Sequence, residues 1–334
     1  MIEKLGVSII LCCHNSAKRL PETLSHLQKQ IVSPEILWEV ILVNNASTDD
    51  TSEVAKQIWI SEIPFKVVDE PNPGLIHARI KGFQEAQYEF VSFVDDDNWV
   101  DENWVKVVYQ KMIEHPEVGA LGGQSLPAFE SKKPSWFDQF ESSFAVGKQL
   151  EIEGEMPYGK LLWGAGITIR KTAWVKLKEN GYKPLLHGRR GKHIFSGEDS
   201  ELCYSLLLDD WKLFYTPSLI FYHFMPDSRI NWIYLSKLFR GFGRKNIYLQ
   251  IYQKILDEKN NLELIKDKKR LPKIIILIFS LIKNFKLTLK AFFYSGEGDF
   301  NVIKQHSKIG MLVELVRLRG ELHRIELNLR TKFL

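Results

Sequence analysis

Cysteine is scarce in this chain of 334 residues. Cys12, Cys13 and Cys203 cannot all pair and form no metal-ligand pattern, so neither a disulfide framework nor a structural zinc site is expected. A reducing cytosol is the natural setting. No GxGxxG follows the first apolar run and no GxxxxGK[ST] occurs anywhere, which argues against a dinucleotide oxidoreductase and a P-loop enzyme. Internal repeats and low-complexity tracts are also missing. "MIEKLG" runs straight into "VSIILCC", so no signal peptide is expected. The longest later apolar run, "IIILIFSLI" at 274–282, is about half of a membrane-spanning helix.

What is present is ample apolar material, 45% of residues with 12% aromatic, enough for a sizeable core, and a length that suits one large domain with an appendage or two domains. Charge is divided unevenly. Residues 229–334 carry 22 Lys and Arg against 9 Asp and Glu, and the remainder 23 against 32. The two regions are therefore expected to face different partners.

The first hundred residues alternate strand and helix. "VSIILCC" (7–13), "WEVILV" (38–43), "FKVV" (65–68) and "FVSFV" (90–94) are short apolar or β-branched runs. Pro21 opens a helix to about Gln30, Ser and Thr cap a second, and a third spans about Leu75 to Gln87. This order predicts an α/β fold with a mostly parallel sheet flanked by helices. Ligands in such sheets bind beyond the carboxyl ends of the strands. His14 and Asn15 stand there after the first strand, Asn44 and Asn45 after the second, and Asp95, Asp96 and Asp97 after the fourth.

Three adjacent aspartates could be an ordinary turn, since their side chains bond nearby amides. Like charges nevertheless repel by about 4 kcal/mol at roughly 4 Å and an effective dielectric of about 20. A cation is expected among them, and magnesium or manganese suits carboxylate oxygens while bridging to phosphate. Further on, "KLLWGAGITIR" (160–170) reads as a strand with a glycine-flanked kink. A basic loop then gives way at "SGEDSEL" to an amphipathic helix, and "KLFYTP" and "IFYHF" close the domain with His223.

Six fragments in this order, "VSIILCCHN", "EVILVNNASTDDT", "PNPGLIHARIKGFQEA", "FVSFVDDDNWVDENWV", "GAGITIRKTAW" and "SGEDSEL", resemble the family 2 glycosyltransferases, inverting enzymes of the GT-A fold that use nucleotide-diphosphate sugars. The resemblance covers about residues 5–225. It implies a GT-A domain at 1–228, with nucleotide-sugar binding at 1–100 and the acceptor side at 120–228, followed by a helical region at 229–334. Asp95 and Asp97 look like the DxD pair, Asp97 as the metal ligand and Asp95 near sugar or ribose hydroxyls. A divalent ion there, Mn2+ or Mg2+, would act on the diphosphate as a Lewis acid.

By the same resemblance Asp199 is the catalytic base that takes a proton from the acceptor hydroxyl; the competing reading makes Glu198 and Asp199 helix-start charges. His223 is implied as a further metal ligand, against packing among Phe221, Tyr222 and Phe224. Arg79 is implied to clamp the nucleotide or its diphosphate, against a place on the surface of an amphipathic helix. Arg189, Arg190 and Lys192, between glycines, suit a lid over phosphate or a solvated loop. His14, Asn15, Asn45 and Asp96 complete the expected nucleotide-contacting set.

The sequence departs from the family's commonest form where strand two ends in Asn44 and Asn45 rather than two aspartates. An asparagine carbonyl can still accept a bond from the base, so UDP is favoured, with GDP and dTDP open. The QxxRW motif of processive relatives is absent, which points to transfer of one sugar. A sugar-phosphate nucleotidyltransferase and a catalytically inactive glycan- or lipid-binding relative are the alternatives. The first lacks its glycine-rich basic signature in "LCCHNSAKRL", and the intact Asp95, Asp97 and Asp199 speak against the second.

In the tail, Trp232, Tyr234, Phe239 and Tyr248 mix with Arg240, Arg244 and Lys245, and Lys283, Lys286 and Lys290 recur at helical spacing beside an apolar majority. Aromatic and basic side chains of this kind favour an anionic membrane surface. A peripheral place on the inner face of the cell membrane and a glycan or lipid-linked acceptor are the expectations. Packing of the same helices as a bundle or homo-oligomer competes. No recognition motif for nucleic acid is present.

Overall fold

The computed structural model describes residues 4–186, 188, 197–262 and 273–334. Up to the aspartates strands and helices alternate: β1 (Val7–Cys13), α1 (Leu20–Gln28), β2 (Trp38–Asn45), α2 (Thr51–Ile58), β3 (Phe65–Glu70), α3 (Leu75–Glu85) and β4 (Phe90–Val94). There follow β5 (Asn98–Val100), α4 (Trp104–Glu114), β6 (Val118–Phe129), β7 (Gly154–Glu155), β8 (Thr168–Arg170), α5 (Lys171–Glu179), α6 (Glu198–Leu208) and β9 (Lys212–Met225). The chain closes with α7 (Trp232–Lys259), α8 (Lys273–Lys283), α9 (Phe285–Phe292), α10 (Phe300–Arg317) and α11 (Leu322–Phe333).

The described residues divide into two compact units. One comprises Met1–Glu130, Phe144–Lys183 and Asp210–Met225; the other Ser131–Ser143, Pro184–Asp209 and Pro226–Leu334.

The first unit is built on a mixed sheet whose order is β3-β2-β1-β4-β8-β6-β9-β5, with β7 on β9. β1 runs parallel to both β2 and β4, and β2 to β3. Every residue of β4 is buried, which is why it reads as an unbroken apolar run rather than an alternation. Because β1 has β2 on one side and β4 on the other, the order reverses at β1 and a crevice opens at the carboxyl ends. Leu11, Val40, Phe90, Trp104 and Phe221 lie in the core beneath it.

The far half of the sheet departs from the sequence pattern. Residues 160–170 were expected to form one strand, but only Thr168–Arg170 pairs, with β4 and β6. Gly166 before it has a left-handed φ of +68°, which ends regular pairing. Arg170 then reaches across to the end of α4, donating to the carbonyls of Val118 (2.8 Å), Met112 (2.7 Å) and His115 (3.0 Å). The Met112 and His115 carbonyls stand at the end of α4, where a helix leaves such groups without an internal partner. β6, "VGALGGQSLPAF", pairs in parallel with β9 despite its glycines and proline, with register shifts at Val118/Ala120 and Gly122/Gln124. A Cβ on Gly123 would stand 2.0 Å from the Leu219 carbonyl oxygen, so only glycine allows this approach.

The second unit is helical. Asn231 caps α7 by accepting from the Tyr234 amide at 2.9 Å, and Asp299 caps α10 through Asn301 at 2.9 Å, each satisfying an N-terminal donor. α7 and α10 cross with their backbones in contact. A Cβ on Gly243 would meet the Ser307 oxygen at 1.9 Å, and one on Gly310 the Arg240 oxygen at 2.0 Å. Glu314, fully buried, ties the pair together: it accepts from Arg244 Nε at 2.9 Å and the Tyr248 hydroxyl at 2.8 Å, and forms an ion pair with Arg317. Leu186, Ile247, Tyr248, Leu315 and Leu318 form the core of this unit, with Ile274 and Leu277 of α8 against it. α6, expected to be amphipathic, is buried around most of its circumference. No helix among the described residues is long and apolar enough to cross a membrane.

Candidate active site

The carboxyl ends of β1, β2 and β4 bring most of the expected residues into one crevice. The aspartates form a tight turn in which the Asn98 amide donates to the Asp95 carbonyl at 3.0 Å. β5 starts immediately after it and pairs antiparallel with β9, so that Asn98 lies opposite His223. The Phe224 amide donates to the Asp97 carbonyl at 2.8 Å, locking the turn to β9. This register delivers the His223 ring to the aspartates: its Nε2 is 3.7 Å from Asp97 Oδ1, with Asp97 2% and His223 9% exposed.

That separation is longer than a hydrogen bond. Two metal–ligand bonds of about 2.1 Å span up to about 4.2 Å, so one small divalent ion can touch both atoms. Asn98, opposite His223 in the β5–β9 register, could offer a neutral oxygen. It is fully buried, and neither polar atom of its carboxamide has a hydrogen-bond partner among the described residues, an expensive state for an amide. No three His, Cys, Asp or Glu side chains cluster here as a complete ligand set among the described residues. The donor set therefore fits an ion that draws its remaining ligands from phosphate or water, as magnesium and manganese commonly do.

The three aspartates have separate surroundings. Asp95 is half-buried. Asp96 is turned toward α1, where its Oδ2 accepts from Arg19 Nε at 3.1 Å and Nη2 at 2.5 Å and from the Ser16 hydroxyl. Its main-chain carbonyl accepts from Thr23 Oγ1 at 2.9 Å. Burial and the neighbouring Asp97 carboxylate push the Asp96 carboxyl up, against the opposing pull of Arg19. Asp96 was expected among the nucleotide-contacting residues; its carboxylate is instead engaged by Arg19 and Ser16, because a buried charge needs a partner. Neither Ser16 nor Arg19 was singled out from the sequence. Their signal lay in "NSAKRL", where a cation one short helix turn from the strand end is the natural partner for a triple acid.

Arg79 is not a surface residue. It is 6% exposed on α3, with its guanidinium 5.4 Å from the centre of the Phe93 ring. Its field reaches the Cys12 thiol at the end of β1. Enclosure pushes that thiol up to about 12, Arg79 opposes the rise, and the Asp95 and Asp96 carboxylates reinforce it. One cation, Arg79, and two acids, Asp95 and Asp96, thus act on the same strand end.

The asparagine and histidine side chains build the rim. His14 Nδ1 is 2.8 Å from the Asn45 carbonyl, joining the ends of β1 and β2. Asn15 takes a left-handed φ of 52° and receives the Thr48 amide on its Oδ1 at 2.8 Å. Asn45, expected to reach the nucleotide base, turns its carboxamide onto the loop before α3. It donates to the carbonyls of Glu70 (3.1 Å) and Asn72 (2.7 Å), and its Oδ1 accepts from the Gly74 amide at 2.8 Å. Asn44 donates to Asp69 Oδ1 at 2.9 Å.

Asp199 belongs to the helical unit, in the first turn of α6, half-buried, with its Oδ1 accepting the Ser200 amide at 2.7 Å. Its neighbour Glu201 is fully buried and accepts from the amides of Leu185 and Leu186 at 2.8 Å each and from the Tyr252 hydroxyl at 2.6 Å. Gly197 precedes the helix with φ +133°. Arg190, together with Arg189 and Lys192, lies outside the described residues.

Comparison with known proteins places these features in a wider set. The model for Glycosyl transferase family 2 matches residues 8–175, half of the chain. A poly-beta-1,6-N-acetyl-D-glucosamine synthase from Staphylococcus epidermidis is 25% identical over 224 residues, 67% of this chain and 51% of that protein. This chain thus spans about half of that synthase's length. A glucosyl-dolichyl phosphate glucuronosyltransferase from Haloferax volcanii is 21% identical over 263 residues, 77% of this chain and 81% of that one. Among solved structures, the mannosyltransferase PcManGT from Pyrobaculum calidifontis, in complex with GDP-Man and Mn2+, superposes with a TM-score of 0.58 at 15% identity, covering 96% of this chain and 89% of that one. At that identity the likeness establishes the fold, which is GT-A.

Proposed function

This chain belongs to glycosyl transferase family 2, and from that membership we propose that it is a metal-dependent inverting transferase that moves one sugar from a nucleotide-diphosphate donor to an acceptor hydroxyl. The observation that carries the proposal is the approach of His223 to Asp97 at 3.7 Å, beside the enclosed carboxamide of Asn98, in the crevice where α/β sheets bind ligands. In this reading Asp97, His223 and Asn98 hold the ion and Asp95 faces the sugar or ribose hydroxyls. A divalent ion so held supplies positive charge to the diphosphate that departs. Arg79 adds a fixed cation to the same crevice, and the Arg19–Asp96 pair keeps the turn in place.

Asp199 is the proposed base. It lies half-buried in the first turn of α6, the end of a helix that interacts favourably with acidic side chains. It removes the proton from the acceptor oxygen as that oxygen attacks the anomeric carbon, opposite the departing nucleoside diphosphate. Arg190, by its place in the basic loop, is proposed to meet phosphate. With the Asn45 carboxamide bonded to residues 70–74, base recognition falls to its remaining lone pair, His14, Asn15 and the loop backbone. UDP is the first nucleotide to test, ahead of GDP and dTDP. A lipid-linked glycan intermediate is the proposed acceptor; the dolichyl phosphate named for the Haloferax relative and the basic C-terminal charge support it.

The test is incubation of the protein with manganese or magnesium and a panel of nucleotide sugars, with and without lipid-linked acceptors. Release of nucleoside diphosphate is the expected result. Pyrophosphate released from a nucleoside triphosphate and a sugar phosphate would instead mark a nucleotidyltransferase.

A further inference from the structure

α8 and α9 show an outward surface that the transferase reading does not use. Nine of the 25 exposed large apolar side chains among the described residues fall within residues 275–293. On α8, Ile275, Phe279 and Ile282 follow at spacings of four and three, with Phe279 and Ile282 each 64% exposed. On α9, Phe285, Leu289 and Phe292 repeat the spacing, with Phe285 64% and Phe292 60% exposed, and Phe293 next to them is 75% exposed. The opposite side of α8 is also apolar, but it is used: Ile274 and Leu277 pack onto the core of the helical unit. Both helices rest on α10, and Lys308 of α10 donates to Ser280 Oγ of α8 at 2.8 Å. The outward rings are therefore presented on a fixed support.

Charge decides what covers them. Between Asp267 and Glu297 the sequence has no acid, while Lys273, Lys283, Lys286 and Lys290 are all present. Lys283, Lys286 and Lys290 are exposed, and by helical geometry each lies about one residue step, roughly 100° or less, around from the outward apolar row. Lysines in that position extend their stems along an apolar layer while the ammonium groups stay at its polar boundary. A second copy of this chain would bring like charges against like, whereas an anionic bilayer offers apolar depth and phosphate together. Neither helix is long enough to cross.

We infer that α8 and α9 form a docking face for the surface of an anionic phospholipid bilayer, with Phe279, Ile282, Phe285, Phe292 and Phe293 entering the headgroup–acyl boundary and Lys283, Lys286 and Lys290 pairing with lipid phosphate. The inference stands apart from the chemistry proposed for the crevice, because vesicle binding is read with no donor, metal or acceptor present.

The experiment is flotation of the full chain with vesicles of phosphatidylcholine, with and without phosphatidylglycerol. The expected result is flotation with the anionic vesicles, weakened by salt. The triple change Lys283→Gln, Lys286→Gln and Lys290→Gln should lower partitioning by about 10²-fold, given about 1 kcal/mol for each lysine near the surface. Phe279→Ser, Phe285→Ser and Phe292→Ser together should lower it at least as far, while circular dichroism and the melting temperature stay close to the parent because these rings are mostly exposed. A soluble polyanion would bind through the lysines alone and be indifferent to the phenylalanine changes. Failure to float with anionic vesicles, equal flotation of the lysine variant, or a self-associated species that the phenylalanine changes dissolve would each overturn the inference.

Discussion

The ends of β1, β2 and β4 enclose charge, whereas α8 and α9 expose apolar rings. Each region inverts the usual division between inside and outside, and each inversion marks a place where something other than water is to be met. In the crevice, Asp96 and Asp97 are both buried within one turn. Arg19 and Ser16 balance Asp96, and Asp97 faces His223 across a gap suited to an ion. On α8 and α9 the apolar rings are flanked by lysines and free of acids. A surface that was merely badly packed would show neither kind of pairing.

The comparison can be broken from the crevice side first. Asp97→Ala should remove all manganese-dependent stabilisation by nucleotide, read as the loss of the melting-temperature rise that a ligand of the native state produces. A variant that keeps the manganese-dependent rise would move the ion elsewhere. Asp199→Asn comes next: nucleoside diphosphate release with acceptor should fall about 10²-fold or more, the usual range for a general base, with donor binding nearly intact. An unchanged rate would remove Asp199 from the role.

A smaller effect separates the two acids of the turn. Arg19→Ala leaves the Asp96 carboxylate without its guanidinium and should cost about 2 kcal/mol, the range for a charged hydrogen bond left unmade, visible in denaturant unfolding. Asp96→Asn in the same background should return part of that loss, because the stranded charge is gone. Additive losses would show that the two side chains do not act as a pair.

The smallest effect concerns Glu201. Burial raises its carboxyl from 4.5 to about 7, against the opposing bonds from Tyr252, Leu185 and Leu186. Between those values the folded chain holds a proton that the unfolded chain releases, so this residue's contribution to stability declines as pH rises through that window. Melting temperatures of the parent and Glu201→Gln, followed from about pH 5 to about pH 8, should draw apart in the variant's favour as pH rises. Parallel curves would contradict the shifted titration.

How far these features were legible follows from their physical origin. β1 and β4 were readable because burial on both faces forces continuous apolar runs, and the acids at the end of β4 were readable because three adjacent like charges repel unless a cation joins them. β5 was not, since three residues carry no periodicity; its existence depends on β9, more than a hundred residues later. The approach of His223 to Asp97 depends on that register, so a lone histidine between Tyr222 and Phe224 could only be suspected. β6 was hidden by glycines and a proline that break isolated strands but are tolerated where β8 and β9 pair with it and register shifts absorb the strain. Arg79 was marked as a nucleotide clamp by resemblance, with a place on the surface of an amphipathic helix as the competing reading; its burial against Phe93 required the fold. The committed carboxamide of Asn45 was equally invisible, since its partners are backbone atoms of a loop. The apolar rows of α8 and α9 were the opposite case: spacing and lysine positions were plain, while exposure required the fold.

Gly243 and Gly310 have a consequence for inheritance. Where α7 meets α10 the obstacle to a methyl group is a peptide oxygen, at 1.9 Å in one case and 2.0 Å in the other, and no rotamer can step aside for it. Replacement at either place would wedge the two axes apart instead of adjusting a side chain. Any descendant that preserves this crossing is therefore expected to retain glycine at both points, a two-letter fingerprint by which distant cousins of the helical half can be sought when little else in their lettering agrees.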